Sequence, residues 1–221
     1  MSRAARVGND VVDLGDPMNA SAHTRERLVA RVLHEDERAL LRASQTPNEL
    51  FWSLFAAKEA AFKVVCKIGP RPVFAHRRFV VASDLRSVRH ADVVLELQVV
   101  TVAATYVHAI ASTATRAPLH AVEPIALDAN PTAAGRRHLC EWVARALDCE
   151  ASELDVVRVP LAESWDGEGP PQLIRAGATL DADVSLSHDG RFVAFAAYVT
   201  ATAGDARAMA GAVPDRERSA G

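Results

Sequence analysis

Glu59 is an acid set among apolar residues, and its position calls for a chemical reason. In residues 51–67, FWSLFAAKEAAFKVVCK, helical spacing puts Phe51, Phe55, Phe62 and Cys66 on one stripe, with Glu59 inside it. A carboxylate on a buried stripe costs several kcal/mol unless a positive group compensates it. Lys63, one turn further on, or a metal ion would serve. Asp10 poses the same problem in residues 7–14, VGNDVVDL, where Val7, Val11, Val12 and Leu14 call for burial. Asp13 and Asp16 nearby read as ordinary turn residues. Two carboxylates from distant parts of the chain suit Mg²⁺, which takes hard oxygen ligands, keeps several waters and completes its shell with substrate phosphates. A third segment, Ser185-Leu186-Ser187-His188-Asp189-Gly190-Arg191, gathers hydroxyls, an imidazole and a guanidinium at one hairpin tip. That composition suits a phosphate as well as a plain surface turn. Its adjacent Ser, His and Asp cannot reach triad geometry and no GxSxG elbow exists, which excludes a hydrolase triad.

The elements that must carry these groups follow from local signals. Residues 7–14 read as a short strand ended by Gly15, Asp16 and Pro17, and residues 22–43 as two helices broken near His34. Thr46, Pro47 and Glu49 form a capping-box signature that opens a helix over residues 47–67, before Gly69 and Pro70. Residues 73–83, 93–101 and 105–112 read as strands, and 113–131, with three prolines, as a crossing segment between halves. Asn130 and Pro131 open a second long helix to about Leu147, followed by a strand over 154–159, a polar loop over 163–171 and a short strand over 173–178. Residues 184–188 and 191–200 then flank Asp189-Gly190, a strong hairpin signal. Tyr106-Val107-His108-Ala109-Ile110-Ala111 echoes Phe192-Val193-Ala194-Phe195-Ala196-Ala197, and the stretches before them have similar lengths, which points to an internal duplication. The expected division is 1–115, 116–200 and a disordered tail, 201–221.

Composition sets the outer bounds. The 221 residues are 49% apolar, enough for a sizeable core in one domain or two small halves. A net charge of −3 lacks the basic footprint that nucleic acid demands. Three cysteines without CxxC spacing read as a reduced complement, not as a disulfide frame or zinc site. With no 18-residue apolar run and no apolar stretch behind the charged start, a soluble cytoplasmic protein is expected.

Taken in order, these segments resemble the 4′-phosphopantetheinyl transferase superfamily. GNDVVDL at residues 8–14 is similar to the family's Gly-x-Asp strand motif, and FAAKEAAFK at 55–63 to its W/F-x-x-K-E-x-x-x-K helix motif. VSLSHDG at 184–190 resembles the Ser-x-Ser-His element, and RLVARVL at 27–33 with Glu37 a stretch of the small acyl-carrier-protein synthase type. The resemblance implies an α+β fold of two similar halves packed as a pseudo-dimer, hence a monomer. It implies transfer of the phosphopantetheine arm of coenzyme A to a serine of an apo acyl or peptidyl carrier protein. The pathway would be fatty-acid, polyketide or peptide synthesis.

By the same resemblance, Asp10 and Glu59 would hold Mg²⁺, and Glu59 and Lys63 would assist proton transfer. Lys58 and Lys63 would contact phosphates, and His188 with Ser187 and Arg191 would receive the nucleotide end. The position two residues after Asp10, acidic in the larger type, is Val12 here, so a water or Asp13 would complete the metal shell. Asp10 and Glu59 lie in one half and the Ser-x-Ser-His element in the other, so the site would form between them. Arg25, Arg27 and Arg31 make a docking stripe for an acidic carrier, or an ordinary solvated face. The alternative is a non-catalytic family member that binds coenzyme A or a carrier. A Mg²⁺-dependent nucleotide hydrolase ranks below it.

Overall fold

The computed structural model describes residues 4–70, 72–161 and 167–200. The expectations for residues 162–166 and for the tail at 201–221 fall outside them. The first half contains β1 (Val7–Asp13), α1 (Glu26–Val32), α2 (Glu35–Ala43), α3 (Pro47–Ile68), β2 (Phe79–Val81), β3 (Ser87–His90), β4 (Val93–Val102) and β5 (Tyr106–Ser112). The second contains β6 (Leu119–Pro124), α4 (Pro131–Leu147), β7 (Leu154–Pro160), β8 (Glu168–Arg175), β9 (Ala178–Thr179), β10 (Ala182–Asp189) and β11 (Phe192–Val199). Three antiparallel sheets result, in the orders β1-β5-β4-β3-β2, β10-β11-β6 and β7-β8-β9. The fold is α+β.

Each half opens on a strand that pairs with the last strand of the same half, β1 with β5 and β6 with β11. The echoing segments that begin at Tyr106 and Phe192 are those closing strands, β5 and β11. Each half also lays its long helix over its sheet, α3 on β1 and β5, and α4 on β10 and β11. The first core joins Ala57, Ala61 and Val64 of α3 to Leu95, Val107 and Ala109; the second joins Leu139, Val143 and Leu147 of α4 to Val156, Leu173, Val184 and Phe195. Small residues on α3 let it approach the sheet closely. A Cβ on Gly8 would lie 2.1 Å from the Ala60 carbonyl oxygen, so this strand position excludes any larger residue.

The period-two alternation of β1 divides its residues between two tasks. Gly8, Asp10 and Val12 face α3, whereas Val7, Asn9, Val11 and Asp13 face the second half. Val7 packs with Ala196 and Tyr198, and Val11 with Phe192 and Ala194. This seam joins the halves.

Some local expectations need correction. Thr46 makes no side-chain cap bond, and Glu49 accepts from the Ala104 amide instead of closing a capping box. The box forms at α2, where His34 Nδ1 accepts from the Asp36 amide and Glu37 Oε2 accepts from the His34 amide. Residues 73–83 are strand only at β2 and include a 3-10 turn, His76–Arg78. β3 stands where no strand was expected, β6 lies inside the presumed crossing segment, and β8 begins within the presumed polar loop.

Candidate functional site

Asp10 sits mid-strand on β1, where its carboxylate faces α3 with 16% of the side chain exposed. Lys63, one turn beyond Glu59, reaches it: Nζ donates to Asp10 Oδ1 at 3.0 Å and to the Asn9 carbonyl at 2.7 Å. Burial is the main force on the Asp10 carboxyl and pushes it up to about 6. Lys63 pulls it down, while the charges of Glu59 and Asp189 add to the rise. The expected Glu59–Lys63 pair therefore gives way to Asp10–Lys63, and Glu59 Oε1 lies 3.2 Å from His76 Nε2.

A cavity of about 600 Å³ opens between the halves, beside this pair. Asp10, Lys63 and Lys67 line its first-half wall, and Ser185, Ser187 and His188 of β10 its opposite wall. The N-terminal turns of α4, with Arg136, and the start of β8 complete it. Glu59 does not line the cavity; it adjoins the site through Asp10, whose carboxyl feels its charge. The β10 wall is held in place by β1, because the Asn9 amide donates to Ser185 Oγ at 2.9 Å and Asn9 Nδ2 to Ser187 Oγ at 2.9 Å. Further along, Lys67 Nζ donates to the Val7 and Val184 carbonyls and to Asp183 Oδ2, which also accepts from the Val7 amide. Burial lowers the Lys67 ammonium, and Asp183 opposes that shift.

The structure brings Asp10, Lys63, Ser187 and His188 together and moves two expected residues away. Lys58 is fully buried: its Nζ contacts both Glu37 oxygens at 2.7 and 2.8 Å and donates to the His76 and Phe79 carbonyls. No phosphate reaches it. Arg191 is bound by Asp13, with Nη2 at 2.6 Å and Nε at 2.8 Å, so this edge of its guanidinium is engaged within the chain, and it does not line the cavity. Asp13 is likewise not a turn acid and not available to a metal shell. It faces away from Asp10, only 2% of its side chain is exposed, and Arg191 holds its carboxyl down at about 2. Sequence reasoning missed Asn9, Lys67, Asp183 and Arg136. The alternation of β1 carried the signal for Asn9, since the neighbour of an α3-facing Asp10 must face the other way.

The donor set fits a divalent cation of one kind. Asp10 and Glu59 are hard oxygen donors, the Glu59 charge adds to the rise of the Asp10 carboxyl, and a positive ion would relieve that repulsion. Among the described residues, no group of three or more His, Cys, Asp or Glu side chains could hold a metal. Two carboxylates alone suit Mg²⁺, whose remaining ligands are waters and substrate phosphates.

The cleft thus sets an acid–lysine pair on one wall against a Ser-x-Ser-His strand on the other. Residues 6–98, the segment bearing Asp10, Lys58, Glu59 and Lys63, match the family model of the 4′-phosphopantetheinyl transferase superfamily. Among solved structures, the chain is similar to Thermotoga maritima holo-acyl-carrier-protein synthase at a TM-score of 0.35 and 15% identity. That alignment covers 79% of this chain and 84% of the other. The likeness is too loose to define the fold, which rests on the elements themselves. No curated protein matches the chain. No helix among the described residues is long and apolar enough to cross a membrane.

Proposed function

We propose that the chain transfers the 4′-phosphopantetheine arm of coenzyme A to a serine of an apo carrier protein. The observation that carries this reading is one cavity lined by Asp10, Lys63, Ser187 and His188, two from each half of the chain. Phosphoryl transfer asks chiefly for positioning and for neutralised phosphate charge. Lys63 keeps a third N–H beyond its bonds to Asp10 and the Asn9 carbonyl, and this donor serves the pyrophosphate. Arg136, on the first turns of α4, takes over the phosphate contact expected of Lys58 and Arg191, and the positive helix end at Pro131 and Thr132 favours the same anion. His188, exposed at the cavity rim, and Ser187 receive the nucleotide end.

Asp10 and Glu59 would hold Mg²⁺, which when bound supplies charge neutralisation on the pyrophosphate oxygens. The carrier serine oxygen bonds to the phosphorus that carries pantetheine, and the bond from that phosphorus to the bridging oxygen breaks. Adenosine 3′,5′-bisphosphate departs with that oxygen and the bonding electrons. The hydroxyl proton passes through a water to Glu59, which adjoins the cavity behind Asp10, and Lys63 compensates the charge that develops. An acidic carrier would dock at α1, where Arg27 and Arg31 are exposed beside Arg77 and Arg78 of the 3-10 turn. Arg25 instead donates to the Met18 and Ala20 carbonyls.

The test is incubation with coenzyme A, Mg²⁺ and a panel of apo carriers, read by mass spectrometry. A carrier gains the mass of phosphopantetheine with the wild type and does not with Asp10→Ala or Glu59→Gln. Binding of coenzyme A without any mass gain would favour the non-catalytic alternative.

A further inference from the structure

Around Glu59, α2, α3 and the 3-10 turn are joined by contacts that the transfer chemistry leaves unexplained. Glu37, fully buried on α2, accepts from the His34 and Val81 amides and from Lys58 Nζ. Lys58, the residue before Glu59 on α3, donates in turn to the His76 and Phe79 carbonyls. The main chain is thereby tied down at both ends of the turn. The His76 ring is packed between Phe55, at 4.9 Å, and Phe74, at 4.2 Å. Its Nε2 then meets Glu59 Oε1 at 3.2 Å. An ionised carboxylate only accepts, so Nε2 carries the proton in this contact.

We propose that His76 is a positioning residue for Glu59: its fixed ring holds one carboxylate oxygen and so sets the orientation in which Glu59, with Asp10, receives a divalent cation. Glu37 and Lys58 are the anchor that fixes His76. The inference rests on the transfer reading above and deepens it. A glutamate has three side-chain torsions, and Glu59 is only partly covered, with 25% of its side chain exposed. Without a partner the carboxylate would sample several rotamers and hold an ion loosely. Partners of ligating groups commonly control affinity in this way. The placement also assigns the Lys58-Glu59 pair a division of labour. Lys58 builds the support and Glu59 meets the ion.

The experiment compares His76→Phe, which keeps the aromatic packing and removes the donor, with His76→Gln, which restores an N–H at similar reach. Mn²⁺ binding to the full chain without coenzyme A is read from the free-ion paramagnetic resonance signal, alongside transfer kinetics and the unfolding midpoint. His76→Phe weakens Mn²⁺ affinity and lowers kcat by roughly 10–100-fold, with KM for the carrier little changed. His76→Gln recovers most of both. Unchanged Mn²⁺ affinity in His76→Phe beside an active wild type overturns the inference alone. A wild type that binds no Mn²⁺ and labels no carrier overturns the transfer reading as well. Should His76→Phe not fold, the ¹⁵N-histidine spectrum of the wild type decides, with the His76 ring resonance assigned by its loss in His76→Gln. That resonance shifts when Mg²⁺ is added, and a resonance unmoved by saturating Mg²⁺ overturns the inference.

Discussion

Asp10 and Asp13 are three residues apart on one strand, yet the fold shifts their carboxyl groups in opposite directions. For Asp10 the folded value of about 6 lies above the ordinary 3.8, so folding favours the neutral form and the ionised form is a liability at neutral pH. Asp10→Asn, a neutral isostere, is expected to stabilise the metal-free chain by about 1–2 kcal/mol at pH 7.5, as a raised unfolding midpoint, while abolishing transfer. A lowered midpoint would mean that the Lys63 contact outweighs the burial of Asp10. For Asp13 the sign is reversed. Its folded value of about 2 lies below 3.8, so its stabilisation is present above pH ~4 and is lost as pH falls through about 2. Wild type should exceed Asp13→Asn by about 2 kcal/mol at pH 7, and urea titrations should show the gap closing as pH drops toward 2. A gap that stays constant across that window would assign the effect to packing and not to charge.

At the scale of elements, α3 was legible where its signals are local and misleading where its partners are distant. Pro47 and the apolar stripe placed the helix within a residue of its observed end, Ile68. Nothing near Lys58 in sequence announces Glu37, which lies a helix away, or the turn carbonyls it binds. Arg191 was misread for the same reason, since Asp13 lies 178 residues earlier. Long cations in apolar surroundings look like phosphate ligands until the carboxylate that matches them is known. β6 was hidden because the prolines around it outweighed a six-residue strand, Leu119–Pro124, whose burial comes from β11 and not from its own pattern. The buried pair gives an expectation at this scale. Lys58→Met leaves Glu37 buried and uncompensated, so it should cost about 3–5 kcal/mol of stability in chemical unfolding. A variant of wild-type stability with a raised KM for coenzyme A would return Lys58 to the phosphate role.

For the whole molecule, the question is what keeps two halves in the one arrangement that makes a cleft. Apolar contacts across the seam join Val7 to Ala196 and Tyr198, and Val11 to Phe192 and Ala194, and such contacts are non-directional. Hydrogen bonds and ion pairs supply the direction. Asp183, on β10, accepts from Arg6, from the Val7 amide and from Lys67 at the end of α3, so one carboxylate ties the second half to both β1 and α3. Asn9 extends the same registration to Ser185 and Ser187, the residues that face Asp10 across the cavity. The proposed cation ligands, Asp10 and Glu59, both lie in the first half, whereas the pocket proposed for the nucleotide end depends on where β10 sits. Loosening Asp183 should therefore separate two properties that a general loss of structure would lower together. Asp183→Asn is expected to lower stability by about 3 kcal/mol, or roughly 6–12 °C in midpoint, and to raise KM for coenzyme A several-fold. Mn²⁺ affinity measured without coenzyme A should stay within about twofold of wild type, because Asp10, Glu59 and His76 keep their places. Parallel loss of Mn²⁺ and coenzyme A binding would show that the halves form a single cooperative site, with no division between cation and nucleotide ends.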